Sequence, residues 1–184
     1  MNTRLRKIDF PTVLFPGVYM TVHVGEPLLP ELALLSPGDT FVLRPEGNPL
    51  LGCLCRLEFV QALVNGANYK MVGLQRVVFD NDGPWATNLV ICPERNREHP
   101  EVFEHYRRLG GATSLFPGLP AVVAELHGRA PAGIWMDLLA FHLPLSMPTR
   151  VWLLAQADVL QRARMLAHCL EKAPAPERER VYQN

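Results

Sequence analysis

Through the first half of the chain, apolar residues come in short runs, each cut off by proline, glycine or asparagine. Ile8, Phe10, Val13, Leu14 and Phe15 form an apolar opening interrupted by Pro11 and then by Pro16-Gly17. A short strand and a tight turn fit this pattern, because proline fixes φ and glycine frees it. Val18-Tyr-Met-Thr-Val-His-Val24 predicts a strand with alternate side chains on opposite faces. Glu26-Pro27 closes it, Leu28 through Leu35 predicts a short helix with Pro30 in its first turn, and Ser36-Pro-Gly-Asp39 turns into a strand over Thr40–Leu43. Leu50 through Val60 reads as extended. The sharpest local signal is Leu63 through Val72, where Asn65-Gly66 separates two β-prone runs and takes up left-handed turn conformations at little cost. Gly73 then marks a bulge or a close backbone crossing before Leu74–Phe79. Asp80 through Pro84 predicts another turn, followed by a strand over Trp85–Ile91. Strands this short and this regularly spaced predict a mixed or antiparallel, barrel-like sheet.

The period changes after Glu94. Glu101–Leu109 predicts a helix that Gly110-Gly111 limits, and Pro120–His127 predicts another, longer than its propensities alone would give. Pro131 starts a helix running through Leu143, in which Ile134, Leu138, Leu139 and Phe141 make a broad apolar face. Ser146 is a good N-cap, with Pro148 in the first turn behind it. Asp158 and Gln161 carry capping-box chemistry ahead of a last helix striped by Leu160, Met165, Leu166 and Cys169. Ala173-Pro-Ala-Pro176 and Glu177-Arg-Glu-Arg180 read as a solvated tail. The expected architecture is α+β, with a β-rich lobe over residues 1–94 and a helical lobe over residues 95–184.

Composition narrows the function more than the fold. Hydrophobic residues make up 48% of the chain and mean hydropathy is +0.05, which belongs to a folded protein. The 18 basic and 18 acidic side chains cancel, so nothing supports the electrostatic footprint of a nucleic-acid partner. No apolar run has the length of a membrane span, and the basic first residues are not followed by the apolar core of a signal peptide. The expected location is the cytoplasm, with Cys53, Cys55, Cys92 and Cys169 reduced and Cys53 and Cys55 on one strand face.

No constellation for catalysis appears. Ser36, Ser114 and Ser146 lie outside any Gly-x-Ser-x-Gly, and a triad of Ser36, Asp39 and His23 has no support in spacing. His-Glu-x-x-His and a phosphate-binding Gly-x-x-x-x-Gly-Lys are absent, and Glu98 and Glu101 around His99 converge on nothing. No metal site, cofactor or enzymatic activity is expected. Tyr19, Arg76 and Trp85 are the candidate partner contacts, since aromatic area and a guanidinium group hold an extended peptide well. A free strand edge is a second route to the same partner.

Several segments, in order, resemble the N-terminal substrate-recognition domain of Lon proteases. Phe10-Pro-Thr-Val-Leu-Phe-Pro-Gly17 is similar to that family's opening Pro-Leu-Phe-Pro, and His23-Val-Gly-Glu-Pro27 to its His-Ile-Phe-Glu-Pro. Leu51-Gly-Cys-Leu-Cys-Arg-Leu57, the hairpin from Asn65 to Gly73, and Ala86 to Glu94 resemble its central strands. Asp137-Leu-Leu-Ala-Phe-His-Leu-Pro-Leu-Ser146 and the run from Asp158 to Ala163 resemble its helical signature. Gly25 departs from the usual aromatic, Leu28-Leu29 from a more polar pair, and residues 110–118 from a regular connecting helix.

The resemblance implies a PUA-like pseudo-barrel lobe followed by an α-helical lobe. It also implies a standalone form without the ATPase and Ser-Lys protease domains. Gly25, Glu26 and Pro27 would set shape, and no catalytic residue carries over. The expected function is a noncatalytic module that binds proteins or extended, unfolded peptides, as an adaptor in protein quality control. The alternative is a structural domain that self-associates into a homo-oligomer.

Overall fold

The computed structural model describes residues 5–24, 30–47, 50–80, 83–112 and 121–172. The Gly25-Glu26-Pro27 match, Leu28-Leu29, Ser114 and the charged tail lie outside them. Among the described residues, seven strands precede five α-helices. The strands are β1 (Leu5–Phe10), β2 (Tyr19–Val24), β3 (Thr40–Pro45), β4 (Leu51–Leu63), β5 (Gly66–Val78), β6 (Trp85–Ala86) and β7 (Val90–Ile91). The helices are α1 (Pro100–Ala112), α2 (Ala121–Leu126), α3 (Ala132–His142), α4 (Met147–Ala155) and α5 (Val159–Lys172). Of the helix predicted over Leu28–Leu35, the described residues contain one 3-10 turn, Leu32–Leu34.

The sheet runs β2-β5-β4-β3-β1-β6, with β7 on β5. Every pairing is antiparallel except β1 with β3. This is a mixed sheet lobe followed by a helical lobe. Among the described residues no ladder joins β6 back to β2.

The β4–β5 hairpin forms where the sequence predicts it, shifted by one residue. Leu63 pairs with Gly66, so the two loop residues are Val64 and Asn65. Asn65 is not left-handed; Gly66 alone takes positive φ, at 138°. The ladder skips Leu74 on β5 and Glu58 on β4, two bulges that sharpen the twist.

Gly73 adjoins the first bulge and also makes the close crossing. Its N–H donates to Val18 O at 3.0 Å and its C=O accepts from Gly17 N at 2.8 Å. A Cβ there would overlap the Phe15 carbonyl.

The single strand predicted over Trp85–Ile91 is instead two short ones that leave in different directions. β6 pairs with β1, and β7 with β5. Asn88, at φ 50°, turns the chain between them, and its side-chain amide donates to Asp80.

One core serves both lobes. Ile8, Phe15, Phe41, Cys53, Cys55, Leu57 and Met71 from the sheet side meet Trp135, Met136, Leu139 and Leu166 from the helices. Cys53 and Cys55 share the inner face, as their spacing requires. A smaller cluster of Val42, Val77, Phe79 and Ala86 covers the other face of the sheet.

Helix ends follow their caps. Ser146 Oγ accepts from Thr149 N at 3.4 Å. Asp158 Oδ1 accepts from Leu160 N at 2.9 Å and Gln161 N at 3.2 Å. For the reciprocal bond, Asp158 N donates to Gln156 Oε1 and not to Gln161. The helix predicted through His127 ends at Leu126, where Gly128, at φ 80°, lets the chain turn away.

Gly110-Gly111 lies inside α1 and does not end it. The two glycines have different surroundings. A Cβ at Gly110 would overlap the His127 ring, which stacks on Tyr106 at 4.5 Å and meets Trp135 edge-on at 5.0 Å. A Cβ at Gly111 meets nothing within 4 Å. Gly111→Ala is therefore expected to stabilise the protein by about 0.5–1 kcal/mol, and Gly110→Ala to destabilise it by about 1–3 kcal/mol. Urea unfolding of the two variants side by side checks the opposite signs.

Candidate functional site

Where β5 leaves β2 and approaches β7, the sheet and helical lobes part to form a cleft of about 870 Å³. Tyr19 and Ile91 flank it on the sheet side, and Phe103 of α1 and Ile134 of α3 on the helical side. These four are exposed although large and apolar, at 58%, 46%, 49% and 37%. The Lys70 ammonium lies 5.4 Å from the Tyr19 ring centroid and leaves that ring at the surface. The lobes can come this close because Gly17 and Gly133 stand at the junction. A Cβ on Gly17 would press on Ile134 Cγ2 at 2.8 Å, and one on Gly133 on both Glu94 carboxylate oxygens at 2.7 Å.

The floor of the cleft is ionic. Arg76 of β5 and Asp137 of α3 are 2% and 1% exposed and 2.5 Å apart. Arg162 of α5, 1% exposed, pairs with Glu94. Arg162 also donates to Gln156 O at 3.1 Å and Gly133 O at 3.4 Å. At the rim, Arg97 reaches the other Glu94 oxygen at 2.9 Å.

The two carboxyls respond differently to this company. Burial pushes Asp137 above its ordinary value, and the charges of Arg76 and Arg162 offset that only in part. Burial also acts on Glu94, but Arg162, then Arg76 and Arg97, outweigh it and hold Glu94 below the usual range. Arg76 Nε, Arg162 Nε and Asp137 Oδ2 are buried without a hydrogen-bond partner.

The three predicted contacts do not meet on one surface. Tyr19 and Arg76 line this cleft, Tyr19 at its mouth and Arg76 on its floor, committed to Asp137. Trp85 lines a second cleft of about 860 Å³ across the sheet, with Arg6, Asp9 and Arg44. There Arg6 lies over the Trp85 ring, 5.1 Å from its centroid. Arg44 binds Asp9 through two nitrogens, at 2.5 and 2.8 Å, and that hydrogen bonding holds Asp9 below its ordinary value.

The sequence reading missed Glu94, Asp137 and Arg162 as a cluster, and Ile91, Phe103 and Ile134 as cleft walls. A signal existed for the charges: Asp137 and Arg162 interrupt helix faces that are otherwise buried and apolar.

Ser36, Asp39 and His23 do not converge. Ser36 and Asp39 close a local turn through Ser36 N and Asp39 Oδ2 at 2.8 Å, while His23 bonds Asn68 Oδ1 at 3.1 Å. Among the described residues no group of three His, Cys, Asp or Glu side chains is placed to hold a metal ion. No described helix is long and apolar enough to cross a membrane.

No protein-family model matches the sequence, and no curated protein matches it. Solved structures do. The N-terminal domain of the Mycobacterium avium complex Lon protease matches with a TM-score of 0.74 at 15% identity, over 94% of this chain and 100% of that one. A Lon N-terminal domain protein from Xanthomonas campestris matches with a TM-score of 0.59 at 23% identity, over 94% of this chain and 99% of that one. At these identities the likeness is one of fold, a mixed sheet lobe followed by a helical lobe.

Proposed function

We propose, on the fold shared with Lon N-terminal domains, that this chain is a noncatalytic module holding an extended or unfolded segment of another protein in the inter-lobe cleft. The observation that carries the reading is the convergence of Tyr19, Ile91, Phe103 and Ile134, all exposed, on one concave surface. Exposed apolar side chains scattered singly need no explanation, but four around a cleft form an anchor site. The charged lining is mostly committed within the chain, Arg76 to Asp137, Arg97 to Glu94 and Arg56 to Glu58. An occupant therefore gains little from charge and much from apolar area. A cytoplasmic adaptor role in protein quality control belongs to the same proposal, as does the division into lobes at residues 94 and 95.

Fluorescence anisotropy with reduced, carboxymethylated lactalbumin as a permanently unfolded ligand tests it. Saturable binding is expected, weakened at least about tenfold in Tyr19→Ala/Phe103→Ala, the scale of losing two anchor side chains. Trp85→Ala reports on the second cleft. Weakening there, with Tyr19→Ala/Phe103→Ala unaffected, moves the binding surface across the sheet.

The competing reading, self-association, draws on the exposed Phe59, Leu63 and Val64 at the tip of the β4–β5 hairpin. A concentration-independent oligomer in sedimentation velocity, with no lactalbumin binding, would favour it.

A further inference from the structure

Two carboxylates and two guanidinium groups at the seam form a four-cornered ring with two short and two long sides. The short sides are Arg76 to Asp137, at 2.5 Å, and Arg162 to Glu94. The long sides are Arg76 to Glu94, at 3.6 Å, and Arg162 to Asp137, at 3.5 Å. Arg76 belongs to β5, whereas Asp137 and Arg162 belong to helices α3 and α5.

Glu94 stands at the joint between the lobes. Before it, Cys92 N donates to Arg76 O at 2.9 Å. After it, Arg95 N donates to Ala157 O and Arg95 O accepts from Val159 N, both at 3.0 Å. The short pairing thus ties β5 directly to α3. The long pairing would give Arg76 to the joint and keep Arg162 with Asp137 inside the helical lobe.

We propose that this ring is a partner-exchange clasp, which lets the cleft widen without leaving a buried charge unpaired. An ordinary buried ion pair resists separation because each half is left in a poor solvent without its partner. Here each arginine has a second carboxylate already within 3.6 Å. The donor needed for one exchange is also in place, since Arg162 Nε lies 3.5 Å from Asp137 Oδ1 and has no hydrogen-bond partner. Arg76 Nε and Asp137 Oδ2 are likewise unused in the short pairing. Arg97 holds the outer oxygen of Glu94 and leaves the inner one to the exchange. Two states that each pair every charge lie close in free energy, the condition under which a ligand of modest differential affinity shifts the population. An occupant between Tyr19 and Phe103 favours the wider state, a step that rests on the cleft reading above.

Removing one carboxylate or the other separates a clasp from a static ion cluster. Arg162 touches both carboxylates and keeps whichever one remains, so each substitution acts through Arg76. Asp137→Asn takes the cross-seam partner from Arg76, so the wide-to-narrow ratio rises. Glu94→Gln takes away the corner that receives Arg76 in the wide state, so the ratio falls. Each change is expected to be about tenfold or more, the scale of one hydrogen bond to a charged group.

Nitroxides at Thr21→Cys on β2 and Glu104→Cys on α1, both exposed sites, report the lobe separation by pulsed EPR. The full chain with Cys92→Ser and Cys169→Ser is used. Without clasp substitutions it is expected to show two distances, with the longer one gaining on addition of carboxymethylated lactalbumin.

A single distance, unmoved while lactalbumin binds, overturns the clasp and leaves the cleft reading standing. Shifts of the same sign in Asp137→Asn and Glu94→Gln also overturn it. Opposed shifts with no lactalbumin binding support the clasp and overturn the cleft reading.

Discussion

Gly73→Ala is expected to cost about 3–5 kcal/mol, from overpacking together with two weakened backbone hydrogen bonds. For a chain of this size that lowers Tm by roughly 10–15 °C, which differential scanning calorimetry reads directly. The reason is local and leaves no room for compromise. The added methyl would overlap Phe15 O and press on Phe15 C, at 2.8 Å, and Cys53 Sγ, at 3.0 Å. Two of these atoms are backbone, so no rotamer change relieves the overlap. The backbone that must retreat is the segment Gly17–Val18 that bonds Gly73 on both sides. The same segment carries Tyr19 into β2, so the variant is also expected to disturb the mouth of the cleft. A Tm within about 2 °C of the parent would show that this crossing is looser than its hydrogen bonds indicate.

Arg162→Met is expected to destabilise by about 3–5 kcal/mol, because it strips a partner from two carboxylates that remain in place. Methionine fills much of the arginine stem's volume, so the loss comes mainly from charge and hydrogen bonds. Arg162 pairs with Glu94, approaches Asp137 and donates to two main-chain carbonyls, while being 1% exposed. Two residues further along α5, Arg164 bonds Glu101 at 2.5 Å with both side chains nearly half exposed, at 46% and 44%. Arg164→Met should therefore cost no more than about 1 kcal/mol. Urea unfolding of both variants gives the comparison. Similar losses in the two would mean that Asp137 and Glu94 find water or another cation when Arg162 is gone. A companion double variant, Arg76→Met/Asp137→Leu, removes both charges together and is expected to cost far less than Arg162→Met.

The elements were legible in the sequence wherever a local rule decides. Ser146 and Asp158 mark helix starts through hydrogen bonds reaching two or three residues ahead, and Pro148 through its fixed φ, so no tertiary context is needed to read them. The same holds for Cys53 and Cys55, whose shared face follows from the two-residue period of a strand. Reading failed where a distant group decides. Gly110 looks like a helix breaker in sequence, yet its role is to admit the His127 ring from seventeen positions further on. Asn65-Gly66 looks like a left-handed pair, but the β4–β5 ladder closes on Leu63 and Gly66, which puts the loop one residue earlier. The strand over Trp85–Ile91 divides because β1 and β5 compete for its two ends.

The cleft was half legible for the same reason. Aromatic and guanidinium character picked out Tyr19 and Arg76, but no rule of local sequence brings residues 76, 94, 137 and 162 to one point. Trp85 has the same chemistry as Tyr19 and lies elsewhere because its strand pairs with β1.

The arrangement of strands also sets an order of events during synthesis. β4 and β5 are joined by two residues and pair along most of their length, so their contacts close with little loss of chain entropy. β1 and β3 run parallel, and their partners are about thirty-five positions apart, a pairing that forms more slowly. Once Val78 has been made, β1 to β5 are in hand, but the side chains that cover Cys55, Leu57 and Met71 are not. Trp135 and Leu139 arrive about sixty residues later, an interval on the order of several seconds at ordinary elongation rates. For that time the nascent sheet presents a bare apolar face on the ribosome, and its survival depends on whatever shields it there.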